Sequence, residues 1–173
     1  ENPSVGWVFH HFDNSIRQYG PPLGPGYAGE GFPGLSVAYL RLAWSYLEPE
    51  DGVFDWSLVD TVAQRYIRAG RQVAFRFTCF ESGNTYATPK WLKHAGVGGR
   101  WFVHGKGVVE EGTPGATWEP DYDDPLFLEK LDRFLAAAAR RYDGNPRVAF
   151  IDIGSIGIWG EGNPCTRPYP LSM

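Results

Sequence analysis

The sequence predicts an α/β fold built as a parallel barrel of the (β/α)8 type, of which only the first four strands are present. Three observations predict it. Strand-like apolar runs alternate with helix-periodic segments, the order that produces parallel βαβ units. The run beginning at Arg147 ends in a glycine-softened turn that presents Glu161, and in such barrels chemistry sits at the C-terminal ends of strands. The chain has 173 residues, whereas a closed barrel takes about 250. A single partial-barrel domain over residues 1–173 is therefore expected.

Residues 5–12 read as the first strand, rich in β-branched and aromatic residues and bounded by turn formers. The Gly- and Pro-rich residues 13–36 carry no strong helix signal. Residues 36–44 form a second strand, followed by a turn over residues 47–52. Asp55 then reads as an N-cap. Val59, Val62, Ala63, Tyr66 and Ile67 make an i, i+3, i+4, i+7, i+8 stripe, and Gly70 closes that helix. Residues 71–78 are a third strand, and residues 80–122 a long ordered loop pinned by tryptophans. Asp124-Pro125 starts a second helix, with Leu128, Leu131, Leu135, Ala138 and Tyr142 as its buried face. The fourth strand begins at about Arg147.

Composition narrows the function. The net charge is −4 and no basic run exists, which argues against a nucleic-acid partner. No apolar run approaches the roughly 18 residues of a membrane span. The start at Glu1-Asn2-Pro3 carries no signal-peptide pattern, although one removed by processing would leave no trace. Seven Trp, nine Tyr and eleven Phe suit either sugar-stacking surfaces or loop anchoring. Cys79 and Cys165 fit no zinc or CxxC spacing, and either a disulfide or two free thiols is compatible with their positions. No His/Asp/Glu set has metal-ligand spacing, and no cofactor is expected.

Glu161 is the candidate catalytic residue, a proton donor whose carboxyl a dry, Trp-lined pocket would raise, with Trp159 as one wall. Asp152, inside the fourth strand, needs partners, and Arg41 and Arg76 occupy comparable places in the second and third strands. These charges are expected to meet inside or at the top of the sheet, as a structural network first and as substrate-binding groups second. His10 and His11 end the first strand, so that one of them faces either a sugar hydroxyl or a structural partner. Trp44 is either a stacking platform or a core ring. Trp91, Trp101 and Trp118 anchor the long loop or wall a subsite, Glu48 and Glu50 serve their turn, and Glu81 is a minor candidate for the cup.

The segment Arg41-Leu-Ala-Trp-Ser-Tyr-Leu-Glu-Pro-Glu-Asp-Gly-Val-Phe-Asp-Trp56 resembles the second-strand region of microbial β-galactosidases, members of the clan-A glycoside hydrolases. Residues 87–92, with a Thr-Pro and a Trp-Leu, resemble their third-strand loop. The Asn2-Pro3 start, Gly6-Trp7, the 121–125 helix entry and Trp159-Gly-Glu161 are closer still to bacterial glycosidases grouped as domain-of-unknown-function family 4832. The resemblance implies a retaining glycosidase with Glu161 as acid/base at the fourth strand, and a nucleophile at a seventh strand that this chain lacks. It also implies a carbohydrate substrate, and export is expected from that substrate class. Clan-A enzymes carry Asn before the acid/base, and here Gly160 stands there. The isolated chain is expected to be inactive and to need a C-terminal half-barrel or self-association. The rival expectation is a non-catalytic carbohydrate-binding or structural module.

Overall fold

A computed structural model of the chain describes residues 6–12, 24 and 26–165. Its elements run β1 (Trp7–His10), β2 (Leu35–Ala43), α1 (Trp44–Leu47), α2 (Ser57–Arg68), β3 (Gln72–Thr78) and α3 (Lys90–His94). They continue with β4 (Gly99–Val103), β5 (Gly107–Val109), β6 (Thr117–Pro120), α4 (Pro125–Tyr142) and β7 (Val148–Asp152), before a 3-10 turn at Ile158–Gly160. Most of the Gly/Pro-rich segment after the first strand, and the Asn2-Pro3 start, lie outside the described residues.

β1, β2, β3 and β7 form one parallel sheet in that order. Sequential neighbours, all parallel, with helices on one side, are the opening half of a barrel arrangement. The strand period of two divides each strand between two environments. On the helix side, Ala38, Leu40 and Leu42 of β2 and Val73, Phe75 and Phe77 of β3 join the main core with residues of α2 and α4. On the other face, Val37, Tyr39 and Ala74 make a small second cluster. That face is the concave side on which a closed barrel would converge.

Local chemistry explains both long helices. Asp124 caps α4, its Oδ1 accepting from the amides of Leu126 (2.8 Å) and Phe127 (3.3 Å), with Pro125 at the first helical position. Gly70 closes α2 at φ 77, where an L side chain is disfavoured. The Arg71 and Gly70 amides donate back to the carbonyls of Tyr66 and Ile67 at 2.9 and 3.0 Å, the paired bonds of a Schellman turn.

Three expectations are corrected. First, residues 80–122 are not merely an anchored loop: β5, β4 and β6 build a three-stranded antiparallel sheet there. Its strands are only 3 to 5 residues long, too short for the two-residue period to register. Second, the buried face of α4 is rotated from the predicted stripe. Phe127, Leu131, Phe134 and Ala138 pack inward, whereas Leu128 and Leu135 are 49% and 38% exposed. Third, Trp44 does not end a strand but opens α1 and is fully buried, with its ring 5.3 Å from that of Phe134. Of the two alternatives left open for the cysteines, the structure has the second: Cys79 and Cys165 are both free thiols. Burial pushes Cys79 up to about 12, and burial with the nearby Glu119 charge pushes Cys165 to about 11, so neither is a ready thiolate.

β7 is an edge strand, and the surface beyond it is apolar. Phe150 and Ile151 are partly exposed and Ile153 is 95% exposed. An edge of this kind, with unpaired backbone and apolar side chains, is a template for a further strand. Among the described residues, no helix is long and apolar enough to cross a membrane.

Candidate active site

The strand register places three charged side chains on one line across the concave face. Arg41 of β2 is the register partner of Arg76 on β3, and Arg76 is the partner of Asp152 on β7. Arg76 donates to Asp152 Oδ2 through Nε at 2.8 Å and through a terminal nitrogen at 2.5 Å. The Tyr39 hydroxyl donates to the same oxygen at 2.6 Å. Burial alone would raise the Asp152 carboxyl, but the Tyr39 and Arg76 donors outweigh it and hold it below the ordinary carboxylate range. The Tyr39 phenol is correspondingly driven up, first by burial and then by its bond to Asp152.

Arg41 does not join the Arg76–Asp152 pair. Its Nε lies 3.3 Å from Oε1 of Glu81, three residues past the end of β3. Glu81 is 1% exposed. Burial pushes its carboxyl up to about 7; Arg41, Thr78 and Arg76 pull the other way, and the Glu161 charge adds to the rise. Glu81 is thus a buried, proton-retaining carboxyl on this rim, and Glu161 is exposed.

Glu161 stands on the same rim but not at the strand end. β7 stops at Asp152, and an ordered turn carries the chain to Glu161. The fixed point of that turn is Trp159, the sole non-glycine residue with positive φ among the described residues (φ 57, ψ 11). A bulky side chain in this region costs about 1–2 kcal/mol, and local bonds offset it. The Trp159 amide donates to the Phe80 carbonyl (3.0 Å), its indole N–H to Ser82 Oγ (2.9 Å), and its carbonyl accepts from Arg76 (2.9 Å). Its ring also meets that of His104, at 5.8 Å, which joins the antiparallel sheet to the rim.

The turn also accounts for Gly160. A Cβ there would lie 2.1 Å from the Gly154 carbonyl oxygen, on a backbone at φ 74. The Asn that precedes the acid in clan-A enzymes has no room at this position. Beside the turn opens a cleft of about 610 Å³ in which Arg76, Ser155 and Glu161 are polar and Leu131, Leu135, Ile153 and Ile156 are apolar. An apolar cleft with a few convergent polar groups is the usual form of a small-molecule site.

The remaining candidates separate. His10 lies on the concave side, its ring 5.0 Å from Tyr39. His11 points the other way, into the helix layer, where Nδ1 bonds the Tyr66 hydroxyl at 2.9 Å. Burial, then Arg65 and His10, lower His11 to about 4 and keep it neutral. Its assignment as a sugar ligand is corrected, because alternation along β1 sends it to the core. Trp44 is likewise a core ring, its indole N–H bound to Glu48 Oε2 at 2.7 Å. Glu48 serves its turn as expected, accepting from the Gly52 amide (2.9 Å) and pairing with Arg133. Trp118 is buried, Trp91 donates to the Glu48 carbonyl (3.0 Å), and Trp101 is half-buried against Tyr86. Among the described residues, no group of three His, Cys, Asp or Glu is arranged to hold a metal ion.

A half-barrel of parallel strands with carboxylates and arginines gathered on its C-terminal rim defines a barrel-type α/β protein. Comparison with known proteins agrees. Residues 33–155 match glycoside hydrolase family 42, described as β-galactosidase, and the chain belongs to that family. The match includes Arg41, Arg76, Glu81 and Asp152 and ends before Glu161. The β-galactosidase BgaH of Haloferax lucentense is 27% identical over 121 residues, 65% of this chain and 16% of that protein. Two solved structures share the fold. The β-galactosidase from the psychrophilic Marinomonas ef1 has a TM-score of 0.57 at 17% identity, over 91% of this chain and 22% of that one. The polyextremophilic β-galactosidase from the Antarctic haloarchaeon Halorubrum lacusprofundi gives 0.54 at 18% identity, over 92% and 22%. The chain thus spans about a fifth or less of these relatives.

Proposed function

We propose that this chain supplies the acid/base side of a retaining glycoside hydrolase site acting on β-galactoside-like substrates. The observation that carries the reading is the placement of Glu161 on the C-terminal rim, in one cleft with Arg76, within a chain of the β-galactosidase family. Glu161 donates its proton to the leaving glycosidic oxygen as the C–O bond breaks. A second carboxylate, about 5–5.5 Å away in retaining enzymes, attacks the anomeric carbon and forms a glycosyl ester. Glu161 then takes a proton from the water that hydrolyses the ester. The nucleophile comes from a further half-barrel, or from a second copy, seated on the β7 edge.

In this reading Arg41, Arg76 and His10 bind sugar hydroxyls and Trp159 walls the site. The narrower kinship with family 4832 rests on the motifs around Trp159-Gly-Glu161 and the chain start. Secretion and a role in polysaccharide breakdown follow from the substrate class. A non-catalytic carbohydrate-binding module is the second reading, favoured by Gly160 and by the end of the family match before Glu161.

The test is hydrolysis of nitrophenyl β-galactoside by the full-length protein and by its Glu161→Gln variant. A loss of kcat by about 100-fold or more is expected for removal of a general acid/base. Unchanged hydrolysis in the variant removes Glu161 from the mechanism. Sugar binding without turnover in the parent favours the binding module.

A further inference from the structure

Two guanidiniums stand side by side on the concave face, since Arg41 and Arg76 are register partners. Like charges directly opposite each other on neighbouring strands repel. Arg76 is neutralised by Asp152, which leaves Arg41 to Glu81. The environment of this second pair is unusual. Both carboxylate oxygens of Glu81, Nε of Arg41 and Oγ1 of Thr78 are buried together and meet one another rather than other partners: Arg41 pairs with Glu81 at 3.3 Å, and Thr78 acts on Glu81 as a hydrogen-bond donor. A buried carboxyl at the top of the sheet, held by one arginine and one threonine, is a polar group placed in the interior with partners that also reach the cup.

The cover over this group is equally specific. Phe80 and Ser82, the residues flanking Glu81, are the two that bond the amide and indole N–H of Trp159. The turn that carries Glu161 therefore also closes over Glu81. Arg41 remains slightly open to the cup, with 13% of its side chain exposed.

We propose that Glu81 is a positioning residue of this site: held under the Trp159 turn, its carboxylate fixes the Arg41 guanidinium at the mouth of the sheet, where Arg41 donates to a sugar hydroxyl. The inference rests on the reading of the rim as a sugar site and adds a residue to it. Geometry supports it through the 3.3 Å pairing, the burial of Glu81 and the cover. Electrostatics agree: Arg41, Arg76 and Thr78 favour the charged form of Glu81, while burial and Glu161 oppose it. The grip on Arg41 therefore strengthens as pH rises through neutrality, where Glu81 becomes charged.

The experiment has two arms on the full-length protein. In the first, the Arg41 Nε–H resonance is followed by 15N NMR in the parent and in Glu81→Gln, Glu81→Asp and Trp159→Phe. A slowly exchanging signal is expected in the parent, with exchange about tenfold faster in Glu81→Gln, as for loss of one charge-assisted bond, and partly restored in Glu81→Asp. Trp159→Phe, which keeps a ring but loses the bond to Ser82, speeds exchange with Glu81 intact. In the second arm, Glu81→Gln raises KM for nitrophenyl β-galactoside by about tenfold with a smaller change in kcat. It is also expected to abolish the fall in KM that the proposal predicts for the parent between about pH 6 and 8. An Arg41 signal and exchange rate unchanged by Glu81→Gln overturn the proposal. Altered exchange with an unchanged KM and pH profile also overturns it, since Glu81 then only braces the fold. If the parent hydrolyses no glycoside, the glycosidase reading fails, and binding of galactose followed through the same Arg41 signal decides this proposal: a shift in the parent that Glu81→Gln abolishes upholds it, and no shift rejects it.

Discussion

Arg76 and Asp152 face each other across β3 and β7, and one carboxylate oxygen, Oδ2 of Asp152, collects two donors from Arg76 and a third from Tyr39. Through a separate nitrogen Arg76 also holds the Trp159 carbonyl. One arginine thus fixes both the edge strand and the turn that carries Glu161. Among the described residues β7 has no strand neighbour but β3, and this cluster ties its side chains to the sheet on the concave face.

Replacement of Asp152 by Asn keeps the shape and removes the charge that offsets Arg76. A loss of about 1–3 kcal/mol is expected for a partly buried, charge-assisted pair. The loss should appear as faster amide exchange in β7 before other strands. Because the Asp152 carboxyl is held below its ordinary range, its contribution is present at neutral pH and fades as pH falls through the acid range. Asp152→Asn should show no such fading. Unchanged β7 protection in the variant would remove the anchor role.

Glu48 is the other charge on which the fold depends. It is 0% exposed and bonds the Trp44 indole, the Gly52 amide and Arg133 of α4 at once. Glu48→Ala leaves the Trp44 indole and Gly52 amide N–H unmatched and strips Arg133 of one of its two carboxylate partners, Asp51 remaining, and is expected to cost about 2–4 kcal/mol. A urea titration measures it. Arg133→Ala in the same background should add less than it does alone, because only the half-exposed Asp51 remains as its partner.

The parallel layer was legible because its signals are local and strong. Asp124-Pro125 announces α4, Gly70 ends α2, and apolar runs mark β2 and β3. The expected meeting of charges on the concave face was legible too, because Arg76 and Asp152 interrupt apolar strands and need partners. Arg41 was placed correctly, but its partner was not identified. Glu81 follows Cys79-Phe80 in a stretch with no period, and the turn that bonds both of its neighbours is centred on Trp159, 78 residues away in sequence. Position relative to the strand end was the available signal, three residues past β3, nearer than Glu161 is to the end of β7. The face of α4 was misplaced because Leu128 and Leu135 carry the same apolar signal as Phe127 and Phe134. A periodic pattern cannot say which of two adjacent stripes faces a covered surface.

Gly160 is required by contact rather than by catalysis. A Cβ would meet the Gly154 carbonyl at 2.1 Å, and the backbone is left-handed. Gly160→Ala is expected to cost about 2–4 kcal/mol, the left-handed penalty of about 1 plus a clash with main chain that cannot rotate away. Gly162→Ala is the control: it has φ 71 and open space around its Cβ, so about 1 kcal/mol is expected. Thermal melts of both variants compare the two costs. Equal losses would mean that the approach to Gly154 imposes nothing.

The pH dependence of stability should carry two opposed components. Burial raises Glu81 to about 7, so its contribution is full below the ordinary carboxylate value of 4.5 and is lost as pH rises toward 7. Burial lowers His11 from 6.5 to about 4, so its contribution is full above 6.5 and is lost as pH falls toward 4. The windows overlap, and the parent should look flatter than either group alone. Glu81→Gln separates them. Relative to that variant, the parent should lose about 1–3 kcal/mol between about pH 4.5 and 8, with Arg41 left unpaired in the variant at every pH as a constant offset. His11→Gln should remove the acid-side loss and leave the alkaline one. Unfolding free energies from urea titrations at four pH values measure both slopes. A difference between parent and Glu81→Gln that stays constant across this range would mean that the Glu81 carboxyl titrates as it does in the unfolded chain.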